Sequence, residues 1–224
     1  IGERERFLEE GFDNFLSKPI LPDKLEQMFI DYLPKELFEE EKAEEQEDKP
    51  LSIKEPEEFD KYTERELLQY CLGATMYMPG TKDFAQAIVE KKYPGLTSMV
   101  MCFEDACKEE DVPRAEENSI QLLDFLCEKL QEGSLDYKDI PLIFFRVRSV
   151  EQFQHFSKML KPEHIKIITG INFPKFNKEN GEAYFSHLQE LNKEFGEIIY
   201  GMPIIEDEKV AFKESRMEEL IGIR

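Results

Sequence analysis

The 224-residue chain carries 29 Lys and Arg against 49 Asp and Glu, a formal charge of −20, with 41% hydrophobic and 35% charged residues. That length allows one large domain or two small ones, and the composition supports a buried core over most of it. A surface this acidic repels phosphates, which argues against nucleic acid or an anionic membrane as the main partner, and no apolar run approaches the roughly 18 residues of a spanning helix.

In chain order, the first predicted helix carries Phe7 and Leu8 on its apolar face and stops at Gly11, a natural left-handed cap position. A short strand over 12–17 follows, halted by Lys18-Pro19, and a second helix starts near Pro22 and runs to Pro34. That helix is expected to bury Leu25, Met28, Phe29 and Tyr32 or Leu33. Residues 35–61 hold 12 acids and 5 bases, with prolines at 50 and 56. So little of that stretch can be buried that ordering it would go uncompensated, and it is read as an acidic linker over 35–62.

From residue 63 onward, near-continuous apolar strands alternate with helices. Strands are predicted at 74–78, 98–103, 142–147, 165–168 with 171–175, and 198–206. The intervening helices are predicted over 83–92, 113–130, a segment bearing Phe153, Phe156 and Met159, and 181–195. Such alternation signals a parallel sheet with helices outside it. Met76, Met78, Met99 and Met101 alternate along the first two strands as core residues would.

The cysteines, Cys71, Cys102, Cys107 and Cys127, form no C-x-x-C pair and are too sparse for a disulfide scaffold. They read as small buried hydrophobes in a reducing, cytoplasmic compartment. His155, His164 and His187 lack metal-ligand spacing. The chain opens at Ile1 inside one helical pattern and closes within another at Met217-Glu218-Glu219-Leu220-Ile221, so it reads as part of a longer protein.

Parallel α/β folds carry their sites at the carboxyl ends of strands. Here those ends are Pro79-Gly80, Glu104-Asp105, Arg146 with Arg148, Pro174-Lys175, and Glu206 with Asp207. The segments Thr75-Met76-Tyr77-Met78-Pro79-Gly80, Cys102-Phe103-Glu104-Asp105-Ala106, Phe145-Arg146-Val147-Arg148, Asn172-Phe173-Pro174-Lys175-Phe176 and Pro203-Ile204-Ile205-Glu206 occur in an order and spacing that resemble a known family. It is the HpcH/HpaI aldolase and citrate lyase β-subunit family of TIM-barrel lyases, in particular the branch called C–C bond lyase of the TIM-barrel fold. The resemblance implies an incomplete TIM (β/α)8 barrel of about five strands over 63–224. It also implies a Mg²⁺-dependent carbon–carbon bond lyase acting on a 2-oxo acid, a 2-hydroxy acid or an acyl-CoA.

By that resemblance Glu206 is a metal ligand, its partner Asp falling beyond Arg224. Arg146 binds the substrate carboxylate or carbonyl, and Glu104 and Asp105 orient the arginine or the waters of the metal. Lys175, Pro79 and Gly80 line the substrate. The sequence departs from the family at Gly73, where an Arg is common, and at Cys102, where an Asp is common.

Residues 1–34 resemble the last helix–strand–helix of a flavodoxin-like response-regulator receiver domain, with Lys18 in the place of the lysine that pairs with the phosphorylated aspartate. This resemblance supplies an alternative expectation: a phosphorelay signalling protein with a histidine-kinase partner and a non-catalytic, metabolite-sensing barrel. A homo-oligomer is compatible with either expectation.

Overall fold

The computed structural model describes residues 14, 22–33 and 58–224. The chain divides into units 1–54 and 55–224. Lys18 and the receiver-like helix and strand lie outside the described residues, as does the acidic core of the linker. In the first unit, helix α1 spans Pro22–Tyr32 and starts at the proline that pre-sets its first turn. Its expected apolar face differs from the observed burial: Phe29, Tyr32 and Leu33 are exposed. Leu25 and Met28 of the same face are half-buried, and Ile30, off that face, is exposed as well.

The second unit is a parallel sheet of five strands in the order β1-β2-β3-β4-β5. These are β1 (Met76–Pro79), β2 (Ser98–Cys102), β3 (Leu142–Arg146), β4 (Ile168–Phe173) and β5 (Tyr200–Pro203). Between them run α2 (Arg65–Leu68, ahead of β1), α3 (Ala85–Val89), α4 (Val112–Gln131), α5 (Val150–Ser157), α6 (Pro162–Ile165) and α7 (Gly181–Phe195), with α8 (Glu208–Ala211) and α9 (Lys213–Ile223) after β5. Sequential parallel pairing with helical crossovers is barrel topology, here with five of the eight strands that close a TIM barrel.

Local chemistry explains where elements stop. The helix expected over 83–92 is confined to Ala85–Val89, and Lys91 then takes φ 50°, a left-handed conformation that a helix cannot continue through. Ile165 belongs to a helix rather than to the fourth strand, because Pro162 opens α6. Ser149 caps α5 by accepting from the Gln152 amide, and α7 ends at Gly196 with φ 68°.

Outward-facing strand residues pack against the helices. Phe103, Phe145 and Phe156 form a fully buried aromatic group with ring centroids 5.0–5.9 Å apart. The inner face carries a second cluster of Val100, Leu142 and Phe144 beneath Leu68 of α2. Tyr77 of β1 accepts a 3.0 Å hydrogen bond from the Asn172 amide of β4, three strands away. In a flat sheet those strands would be about 14 Å apart, too far for side chains standing perpendicular to it. That bond therefore records the curl of the sheet into a half-barrel.

One irregularity decides which side chains face inward. Ile143 pairs with Ile168, but Phe144 pairs with Gly170, so Thr169 is an extra residue in β4. The bulge brings Asn172 into register with Arg146 on the inner face. Without it Asn172 would share a face with Val147 in the outer core.

Two predictions follow from this packing. A Cβ on Gly170 would lie 2.6 Å from the Tyr200 carbonyl and 2.7 Å from the Phe144 ring. Gly170→Ala is expected to lower stability by about 1–3 kcal/mol in urea denaturation, and an unchanged midpoint would contradict the close strand approach. Lys61, buried and donating to the Ile165 carbonyl, has its pKa pulled down to about 8 by burial, against the raising influence of Glu197 and Asp60. Between about pH 8 and 10 the unfolded chain holds that proton while the folded chain has released it, so stability must rise with pH. Relative to Lys61→Met, the wild type is predicted to gain stability from pH 8 to pH 10; a parallel or opposite trend would contradict the assignment.

Candidate active site

Two loops at the carboxyl ends of the strands converge on one guanidinium, and a third joins them through an ion pair. Arg146 is the last residue of β3 and is 8% exposed. Its Nη2 contacts Glu104 Oε2 at 2.6 Å and Asp105 Oδ2 at 2.9 Å, both just beyond β2. The same nitrogen contacts Glu206 Oε1 at 2.6 Å, from the loop after β5. Lys175, after β4, closes the group through an ion pair to Glu104. The parallel sheet thus brings together five of the residues expected at the site: Glu104, Asp105, Arg146, Lys175 and Glu206.

The electrostatics are mutual. Burial by itself would pull the Arg146 pKa down, but Glu104, then Glu206, Cys102 and Asp105, hold it above its ordinary value. Lys175 is likewise held up, chiefly by its hydrogen bond to Glu104. Glu104 is buried, whereas Asp105 and Glu206 are open to solvent. The cluster therefore has a closed floor and an accessible mouth.

Backbone geometry fixes the participants. Arg148 reaches back to the β2 loop, donating to the carbonyls of Phe103, Glu104 and Cys107 at 3.2, 3.3 and 2.6 Å. Its own amide donates to Gln152 Oε1, tying the staple to α5. Lys175 sits at φ 47°, a left-handed conformation that costs a non-glycine residue about 1 kcal/mol and that recurs at functional sites. Asp207 caps α8 through the Lys209 amide and accepts from Asn177, which anchors the loop bearing Glu206.

Pro79 and Gly80 stand at the carboxyl end of β1, the first exposed and the second buried. Gly80 donates to the Cys102 carbonyl, and a Cβ there would meet Phe103 at 2.7 Å and Ala115 at 2.9 Å. Close packing accounts for that glycine. Cys102 is buried in register with Arg146, and its Sγ accepts from the Glu104 amide.

One oxygen from each of Glu104, Asp105 and Glu206 lies within 4.8 Å of the others. Carboxylate oxygens suit a hard divalent cation, and opposite ligands of an octahedral Mg²⁺ would be about 4.2 Å apart. The donor set fits such an ion, and Arg146 Nη2, which now contacts all three carboxylates, would draw back to admit it. Sequence reasoning gave the metal role to Glu206 alone; the fold sets Glu104 and Asp105 beside it.

Two inner-face residues escaped sequence reasoning, Tyr77 and Asn172. Both lie within the strand-end segments that carry the family resemblance, each as a polar side chain interrupting an apolar run. Asn172 Oδ1 and Arg146 Nε are buried without a hydrogen-bond partner, as is Thr169 Oγ1.

Residues 66–224 match the family described as C–C bond lyase of the TIM-barrel fold. Comparison with curated proteins gave no match. Among solved structures, the lead(II) complex of malate synthase from Haloferax volcanii is similar at 17% identity and a TM-score of 0.42, over 74% of this chain and 47% of that one. The chain thus spans about half the length of that protein. With the match covering most of its length, the chain belongs to the C–C bond lyase family of the TIM-barrel fold.

Proposed function

We propose that the protein is a Mg²⁺-dependent lyase that cleaves or forms a carbon–carbon bond beside a carbonyl, acting on a small carboxylic acid or its acyl-CoA ester. The observation that carries this reading is the convergence of Glu104, Asp105 and Glu206 on one cation-sized locus at the strand ends. Glu206, with Glu104 and Asp105 beside it, would hold the ion. When bound, Mg²⁺ supplies positive charge that stabilises the oxyanion developing as the bond breaks.

The remaining roles fall to this chain's own residues. The ion-paired set of three carboxylates, Arg146 and Lys175 sums to −1. Adding a divalent cation turns it to +1, which suits an anionic substrate. Arg146, a planar fork that stays charged at any working pH, orients the substrate carboxylate or carbonyl. Lys175, held protonated beside Glu104, contributes charge at the rim. Arg148 acts indirectly by holding the Glu104–Asp105 loop. Pro79 and Gly80 border the substrate from the end of β1.

The test is Mg²⁺-dependent cleavage of hydroxy acids, 2-oxo acids and their acyl-CoA esters by the protein. Glu206→Gln is expected to lower kcat/KM at least about a hundredfold while leaving the fold intact, the scale of losing one charge-stabilising group. Undiminished activity in that variant would overturn the assignment.

A further inference from the structure

Helix α4 carries a buried carboxylate that the acidic cluster does not use. Glu116 is 3% exposed, and it contacts the Gln152 amide and His155. Among the described residues no lysine or arginine pairs with it. Burying a carboxylate without a permanent cation is expensive, and an apolar residue would serve stability as well or better. What Glu116 does for its neighbours accounts for it. Gln152 Nε2 donates to Glu116 Oε1 at 2.7 Å, while Gln152 Oε1 accepts from the Arg148 amide at 3.0 Å. The Arg148 guanidinium donates to the carbonyls of Phe103, Glu104 and Cys107, on the loop that bears Glu104 and Asp105. Arg146 lies two residues before Arg148, at the end of the same strand. The same helix also holds the β1 loop directly, with Asn118 Nδ2 donating to the Gly80 and Lys82 carbonyls at 2.7 and 3.0 Å.

A side-chain amide can face a partner with either end when that partner both donates and accepts. An ionised carboxylate only accepts, so Glu116 draws the NH2 end of Gln152 toward itself and leaves the oxygen for Arg148. Reversed, the amide would set its NH2 group against the Arg148 N–H, donor against donor.

We infer that Glu116 is a positioning residue for the site. By fixing the sense of the Gln152 amide it holds Arg148, and through Arg148 the Glu104–Asp105 loop, in the geometry that receives a divalent cation. The inference rests on the lyase reading above and extends it to a residue that touches neither the ion nor the substrate.

The experiment measures two quantities on the 224-residue chain: Mn²⁺ affinity, and hydrogen exchange at the Arg148 amide in the metal-free protein. Glu116→Gln keeps the shape but lets the Gln152 amide turn either way. It is expected to weaken Mn²⁺ binding about tenfold or more, the scale of losing an outer-shell partner. Exchange at Arg148 should quicken about tenfold, the scale of one hydrogen bond. Combining Glu116→Gln with Gln152→Glu moves the carboxylate one place along the chain and restores an unambiguous order of donors and acceptors. That double variant should bind Mn²⁺ within about threefold of the wild type and regain slow exchange, a rescue that a merely space-filling role would not give. It also keeps the test decisive if Glu116→Gln alone fails to fold. His155→Ala removes the other partner of the same carboxylate and should leave both quantities within about twofold. Wild-type Mn²⁺ affinity retained in Glu116→Gln, or no recovery in the double variant, would overturn the positioning role and leave the lyase reading intact. Absence of Mn²⁺ binding by the wild type would overturn that reading and, with it, this role.

Discussion

A single buried guanidinium nitrogen in contact with three carboxylates organises this molecule's functional end. Arg146 Nη2 gathers the loops after β2 and β5, and Lys175 joins the loop after β4 through Glu104. Attractions at 2.6–2.9 Å outweigh repulsions among oxygens up to 4.8 Å apart, because Coulomb energy falls with distance. Desolvating such a group is expensive, and well-packed apolar residues of similar volume would serve stability as well or better. A charge cluster of this kind is therefore better explained by what it binds than by what it stabilises.

The rest of the half-barrel serves that cluster. Phenylalanines between sheet and helices make the outer core rigid, while Leu68 covers the apolar inner layer of Val100, Leu142 and Phe144. Above that layer the inner face turns polar, first with Tyr77 and Asn172 and then with the charged rim. Arg148 holds the β2 loop by three carbonyls, so Glu104 is positioned by backbone contacts as well as by its ion pairs. Among the described residues no helix is long and apolar enough to cross a membrane.

Much of this was legible in the sequence, for identifiable reasons. Buried parallel strands are apolar runs, so Ser98–Cys102 and Leu142–Arg146 stood out, and the charges that end such strands marked the rim. The bulge at Thr169 was not legible, because Ile168-Thr169-Gly170-Ile171 has no period that reveals an extra residue. Asn172 was consequently missed. The boundary of α6 was missed because Ile165 looks like strand material until Pro162 is recognised as a helix start. The apolar residues of α1 suggested a core face that the structure leaves partly exposed. The receiver-like reading of Lys18 falls outside the described residues.

The balance of charge gives the central claim its sharpest consequence. Three carboxylates are matched by only two ion-paired cations, so the set keeps a net negative charge that attracts a divalent ion, which would replace the Arg146 Nη2 contacts. The most direct measurement is titration of Mn²⁺ into the 224-residue chain, with the free ion followed by electron paramagnetic resonance. One site per chain, displaced by Mg²⁺ and lost in Glu206→Gln, is the predicted result. Binding that is absent, or unchanged in Glu206→Gln, would contradict the account.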